Sequence, residues 1–212
     1  RRFFPYVFEK YDLVLSNDPD PGYIFLAPFR TVGPGHLLIL DNLANPIFYR
    51  RLAIPTLDLK VQPNGLLTYF QQALNTSNAK FYAMDATYAV VDSFEAGNGY
   101  DTDSHDLRIL PNGHALLMSY DRQTVRMDLV VPGGRANATV IGLIIQEIDA
   151  AKNVVFQWRS WDHFQITDVN SPLVSLTGLL IDYVHGNSAE LDHDGNLLIS
   201  ARHLNAITKI SR

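Results

Sequence analysis

Two turn motifs alternate along this chain, and their spacing limits what it can fold into. The first, LDLKVQPNG from Leu57 to Gly65, returns 48 residues later as HDLRILPNG, from His105 to Gly113. A looser third copy runs from His185 to Gly195, two residues longer, and turns on Asp194-Gly195. The second motif is an apolar residue, an aspartate, a four-residue turn and a strand-like run. It occurs as LDNLANPIFYR from Leu40, MDATYAVVDSF from Met84 and IDAAKNVVFQW from Ile148. Asp41 and Asp85 are 44 residues apart, whereas Asp85 and Asp149 are 64 apart, which implies an insertion in the later interval.

Between the turns lie short apolar or alternating runs, among them Tyr23–Ala27, His36–Leu40, Lys80–Met84, Ala115–Ser119, Thr139–Ile148, Val154–Trp158, Leu179–Val184 and Ala206–Ile210. The best helical candidate, Leu66–Ala73, is rich in Thr, Tyr and Phe and suits a strand better. Many short strands with Pro, Gly, Asn and Asp in the gaps predict an all-β protein. A period of about 40–50 residues holding roughly four strands is that of a β-propeller blade, and a sandwich would not alternate two distinct turns. Residues 1–212 therefore read as a single partial β-propeller domain of about four blades. The last strand, AITKISR, has no blade after it, so the chain is expected to be a fragment of a longer one whose other blades pair the open edges.

Composition excludes several classes. With 47% hydrophobic and 18% charged residues the chain has the balance of a globular domain rather than a disordered one. A net charge of −5 and no Lys/Arg-rich run argue against nucleic acid as a partner. No apolar run approaches the roughly 18 residues of a membrane span. The opening RRFFPYVFEKYDL lacks the apolar block of a signal peptide, as expected of a mature form or a cut fragment. The absence of cysteine removes disulfides, zinc–thiolate sites and thiol catalysis. Glycosylation triplets stand at Asn75 and Asn137, a number that chance alone would supply.

In a propeller the first strand of each blade runs along the central channel. If HDLRIL and HGNSAELD are such strands, His105 and His185 open them at the same end and face the channel mouth. Leu57 holds the corresponding place in the preceding copy, so the repeat itself does not demand a histidine. Plainer roles stand beside this one. His185 could bond to backbone in its turn, Arg202 could be a surface strand residue, and His105 could pair with Asp101, Asp103 or Asp106. Those three aspartates lack the glycine and distal glutamate of a calcium loop and read as a solvated acidic turn. No metal site and no cofactor is assigned. His193 and Asp194 fit a hairpin tip, and Trp158, Trp161 and His163 fit packing and loop anchors.

From Asp182 to His203 the chain reads DYVHGNSAELDHDGNLLISARH. This segment resembles the arylsulfotransferase (arylsulfate sulfotransferase) family, in the pattern D-Y-x-H-x-N-S followed by G-x-x-L-I-S-x-R-H. PGYIFLAPFR from Pro21 to Arg30, GNGYDTDSHD ending at Asp106, and FQWRSWDHF from Phe156 to Phe164 are also similar to family segments. The resemblance implies a six-bladed propeller that moves a sulfuryl group from a phenolic sulfate ester to a phenol, through a transiently sulfated histidine and without a nucleotide donor. Matched by motif, His105 and His185 are the implied catalytic residues, and Asn187 and Arg202 the implied substrate-binding ones. The family's nucleophilic histidine lies in a later blade than this sequence reaches. The implied partners are a small aryl sulfate, a phenol and the remaining blades, and the implied location is secreted, extracellular or periplasmic.

These residue types suit the chemistry. Sulfuryl transfer should resemble phosphoryl transfer, with a loose transition state and negative charge on the equatorial oxygens. Positioned donors (a guanidinium fork, an amide, imidazole N–H groups) are then the main requirement. Two other classes compete: a non-catalytic propeller used for binding or scaffolding, and a quinone-dependent propeller dehydrogenase, for which the tryptophan motif would have to repeat.

Overall fold

The computed structural model describes residues 14–28, 33–72 and 79–212, and these residues form an all-β chain with short 3₁₀ turns and no α-helix among them. The Asn75 triplet, Ala73 and the end of the Pro21–Arg30 segment lie outside the described residues. The chain sorts into two compact units, 1–61 with 65–92, and 62–64 with 93–212.

The first unit contains the antiparallel strands β1 (Tyr23–Leu26), β2 (Gly35–Asp41) and β3 (Pro46–Leu52) in one sheet. It also holds most of a second sheet, in the order β4 (Thr56–Val61), β5 (Leu67–Gln71), β6 (Lys80–Met84) and β7 (Val90–Phe94). Its core gathers Leu37, Ile39, Leu59, Leu67, Tyr69 and Met84. The Leu66–Ala73 run contributes a strand, β5, as its aromatic and β-branched content requires.

The second unit contains β8 (Asp101–Ile109), β9 (Ala115–Val125), β10 (Ala138–Ile148) and β11 (Val154–Arg159), hydrogen-bonded in that order and antiparallel. A short strand, β12 (Leu180–Asp182), lies parallel to the start of β10. A further antiparallel sheet follows: β13 (Gly186–Leu191), β14 (Leu197–Ala201) and β15 (Ala206–Ile210). One core spans both sheets, with Met118, Leu143, Ile145, Tyr183, Ala189, Leu197 and Ile199 all buried together.

Both turn motifs have a physical basis. Gly65, Gly113 and Gly195 close the β4–β5, β8–β9 and β13–β14 hairpins at φ of +83°, +82° and +83°, a region open to glycine at little cost. The aspartate motif closes β2–β3, β6–β7 and β10–β11. In each, the backbone N–H of Asp41, Asp85 or Asp149 donates to the carbonyl four residues on, and the carboxylate accepts backbone N–H groups in return. These bonds hold the Asp85 and Asp149 carboxyls below their usual range, led by the Thr87 hydroxyl at the first and the Asn153 N–H at the second. The third residue after each aspartate is left-handed though not glycine: Ala44, Tyr88 and Lys152 at φ of +59°, +63° and +69°. The extra residues between Asp85 and Asp149 lie in the long β8, β9 and β10 and in the irregular loop around the 3₁₀ turn Met127–Leu129.

The common template is thus glycine turn, two central strands, aspartate turn. The β4–β7 and β8–β11 sheets carry both turns, β1–β3 only the aspartate turn, and β13–β15 only the glycine turn.

Gly142 in β10 shows how tightly the second unit packs. A Cβ there would collide with the indole of Trp161. Gly142→Ala should destabilise the protein by about 1–3 kcal/mol through overpacking, measured as a lower urea midpoint with an unchanged denaturant slope.

Candidate functional site

The site forms where the chain leaves β12 for β13. Tyr183 follows Asp182 and is fully buried. Its hydroxyl shares a 2.8 Å hydrogen bond with Ser160, whose Oγ accepts the Leu143 backbone N–H, also at 2.8 Å. Burial pushes the Tyr183 phenol up to about 12. Anchored there, the chain makes a tight left-handed step at His185, φ +49°. The Asp182 carboxylate holds that step: Oδ1 accepts the His185 backbone N–H at 3.0 Å and Oδ2 takes the ring Nδ1 at 2.6 Å. From the 3₁₀ turn Arg202–Leu204 that follows β14, the Arg202 and His203 backbone N–H groups donate to the His185 and Val184 carbonyls.

His105 reaches the same place by a different device. Thr102 of β8 faces Ser119 of β9 and Leu107 faces Leu117, so Asp103 to Asp106 are accommodated opposite Met118 alone. Such a bulge redirects side chains that a regular strand would alternate between faces. Within it Asp103 is buried and takes both the His105 backbone N–H and its Nδ1, each at 2.9 Å. Asp106, also buried, accepts the Ala189 N–H at 3.1 Å and so ties β8 to β13.

The rings of His105 and His185 meet edge to face, with centroids 5.2 Å apart and planes at 79°. A third imidazole joins them: the His203 ring lies 4.7 Å from that of His185. Its Nδ1 is held at 2.6 Å by the backbone carbonyl of Asp182, and the residue is buried. Beneath the cluster the Tyr120 hydroxyl is buried without a well-formed hydrogen bond. Burial first, and then the Asp103 and Asp182 charges, raise its pKa far above the ordinary phenol range. Carboxylates and carbonyls cannot donate, so each of the three histidines carries its proton on Nδ1 when neutral, and in His185 and His203 this leaves Nε2 as a lone-pair donor.

Of the four residues singled out by motif, the structure brings His105 and His185 into contact. His105 sits four residues inside β8 rather than at its start, whereas His185 immediately precedes β13. Asn187 and Arg202 are both exposed and line a shallow cleft of about 400 Å³ with Ser200, Asn205 and Ile207. Asn187 is itself a bulge residue, since Gly186 pairs with Ala201 and Ser188 with Ser200. Asp103, Tyr120, Asp182 and His203 complete the cluster without having been singled out as site residues. For Asp182 and His203 the signal was present, at the two ends of the quoted segment. Trp158 stacks on His163 and Trp161 packs against Tyr183, so all three serve as anchors. At the Asp194 hairpin tip Lys209 bridges Asp192 and Asp194, and its hydrogen bond holds the Asp194 carboxyl down at about 2.

These features define a class: an all-β chain of repeated antiparallel sheets with a carboxylate-anchored imidazole cluster between two of them. Residues 70–212, about two thirds of the chain and including every residue of the cluster, match the family described as Arylsulfotransferase (ASST), and the chain belongs to that family. Among solved structures it is similar to a protein of unknown function from Bacteroides caccae. The TM-score is 0.50 at 12% identity, over 91% of this chain and 55% of that one. It is also similar to hydrazine synthase of Kuenenia stuttgartiensis, with a TM-score of 0.46 and 14% identity, over 88% of this chain and 49% of that one. The chain spans about half the length of both structures. No curated protein matches it.

Ser160 pins the β12–β13 connection to β10, and Ser160→Ala would leave the Leu143 N–H and the Tyr183 hydroxyl buried and unpaired. A loss of about 1–3 kcal/mol is expected by chemical denaturation. Because the folded-state pKa of Tyr183 is raised, its contribution is complete below about 10, where unfolded tyrosine ionises, and is lost as pH rises to about 12. Stability should therefore fall across that interval, and the slope should shrink in Tyr183→Phe.

Proposed function

We propose that this chain carries the sulfuryl-holding part of an arylsulfotransferase that moves a sulfuryl group from a phenolic sulfate ester to a phenol through a histidine intermediate. In the first half-reaction the bond from sulfur to the aryl oxygen breaks as an imidazole nitrogen takes the sulfuryl group, and a phenolate leaves. In the second, the acceptor phenol loses its proton to a base and its oxygen displaces the histidine. His105 and His185 face the reacting group. His185 offers a lone pair at Nε2 when neutral and a charged N–H donor when protonated, and an aspartate fixes the ring of each histidine. Asn187 and Arg202 approach the sulfuryl oxygens from the adjoining cleft. In the same reading the four sheets are successive blades of one propeller domain, a view supported by the recurrence of both turn types on one template. The chain is placed outside the cytoplasm, as a secreted protein. Family membership supports this, and Asn137, in one of the two glycosylation triplets, is exposed in the turn before β10.

The observation that carries the reading is the edge-to-face meeting of His105 and His185, each pinned by its own aspartate, within the segment that matches the family. The test is acceptor-dependent release of phenol from an aryl sulfate, assayed with EDTA present. Turnover should fall on the order of 10²–10³-fold in His185→Ala and in Arg202→Ala, as for loss of an oxyanion donor. Equal turnover in both variants and the parent would remove the site assignment. Robust capture of a protein partner with no turnover and no sulfate binding would favour a binding module.

A further inference from the structure

Asp182 does something that oxyanion binding does not require. Its carboxylate holds Nδ1 of His185 and its own backbone carbonyl holds Nδ1 of His203, each at 2.6 Å. One residue thereby locks two neighbouring imidazoles into the same tautomer and leaves both Nε2 atoms as lone-pair donors. Among the described residues neither Nε2 has a hydrogen-bond partner. The two rings are 4.7 Å apart, and one nitrogen of each ring and a carboxylate oxygen of Asp182 all fall within 4.8 Å of one another. His203 is 8% exposed and the His185 side chain 20%, so the pair is largely sheltered from solvent without being closed off.

We propose that His185 and His203 form a binding site for a divalent transition-metal ion of the zinc class, with Asp182 as the residue that positions both ligands. Metal-bound imidazoles characteristically donate their second N–H to a carboxylate or a backbone carbonyl, and here one residue supplies both acceptors. Two neutral nitrogens suit zinc, nickel or copper, whereas calcium and magnesium call for oxygen ligands. The remaining coordination positions stay open to water or to an anionic oxygen. The proposal shares His185 with the sulfuryl-transfer reading but does not depend on that reaction. The ion and a sulfuryl group would draw on the same nitrogen.

The test is titration of the full 212-residue chain, stripped of metal, with cobalt(II), followed by the visible absorption that tetrahedral or five-coordinate cobalt shows and the aquo ion does not. Saturation at one ion per chain is expected. His203→Asn keeps a side-chain N–H for the Asp182 carbonyl but removes Nε2, and should abolish the spectrum while circular dichroism and thermal unfolding show the fold intact. Asp182→Asn should weaken binding about 10–100-fold, as loss of an outer partner does. His193→Ala, at the exposed hairpin tip, should bind as the parent does. An aquo-ion spectrum with the parent chain, or unchanged affinity in folded His203→Asn, would overturn the proposal. No substrate is present in this experiment, so its failure and that of sulfuryl transfer are read separately.

Discussion

The cluster depends on a short-range constraint: Asp182 must grip the residue three positions ahead while its own carbonyl grips another twenty-one positions on. Neither grip would last if the chain before it moved. Tyr183 prevents that by burying a whole aromatic ring and passing its hydroxyl to Ser160, which in turn satisfies a backbone N–H of β10. The turn that carries His185 is thereby tied to the apolar core of this unit. A buried hydroxyl chain of this kind is costly to interrupt, because each group left unpaired keeps its desolvation penalty.

Charge is balanced inside the cluster rather than across it. Two aspartates lie against three imidazoles, and the phenol of Tyr120 adds no charge, because burial first, and then the same aspartates, make its ionisation unfavourable. An arriving anion would thus meet imidazoles whose positive form is already compensated from behind. An arriving cation would meet lone pairs whose carboxylate partners stand one shell back. Which visitor is favoured turns on the protonation of Nε2, a property of the rings and not of the backbone that carries them.

Much of this was visible in the residues, and what was hidden was hidden for identifiable reasons. The strands Lys80–Met84 and Ala206–Ile210 agree at both ends with expectation, because asparagine, aspartate and serine, all turn formers, flank them. The start of β8 was concealed. DTDSHD is polar without alternation, since its bulge abolishes the two-residue period on which strand reading rests. The Leu179–Val184 run yields only three strand residues before the chain breaks away at the Asp182 turn. His185 and His105 could be picked out because histidine replaced leucine at a repeated position. His203 closes the same segment, but its place beside His185 was not legible, since what sets it is a backbone carbonyl, and every residue has one. The aspartate turns, in contrast, were legible from a single side chain and recur with the same bonds.

Those turns have an effect beyond closing hairpins. Because the carboxylate stabilises the left-handed residue from outside, glycine is not required there, and alanine, tyrosine and lysine each occupy the place. Tyr88 uses it to stack on Phe48 with ring centres 4.1 Å apart, and Lys152 uses it to set its ammonium 3.6 Å from the centre of the Phe94 ring. A fixed scaffold thus presents an interchangeable side chain at a set height. Repeats of this chain can drift in sequence at that spot and acquire new contacts without disturbing the hairpin that displays them.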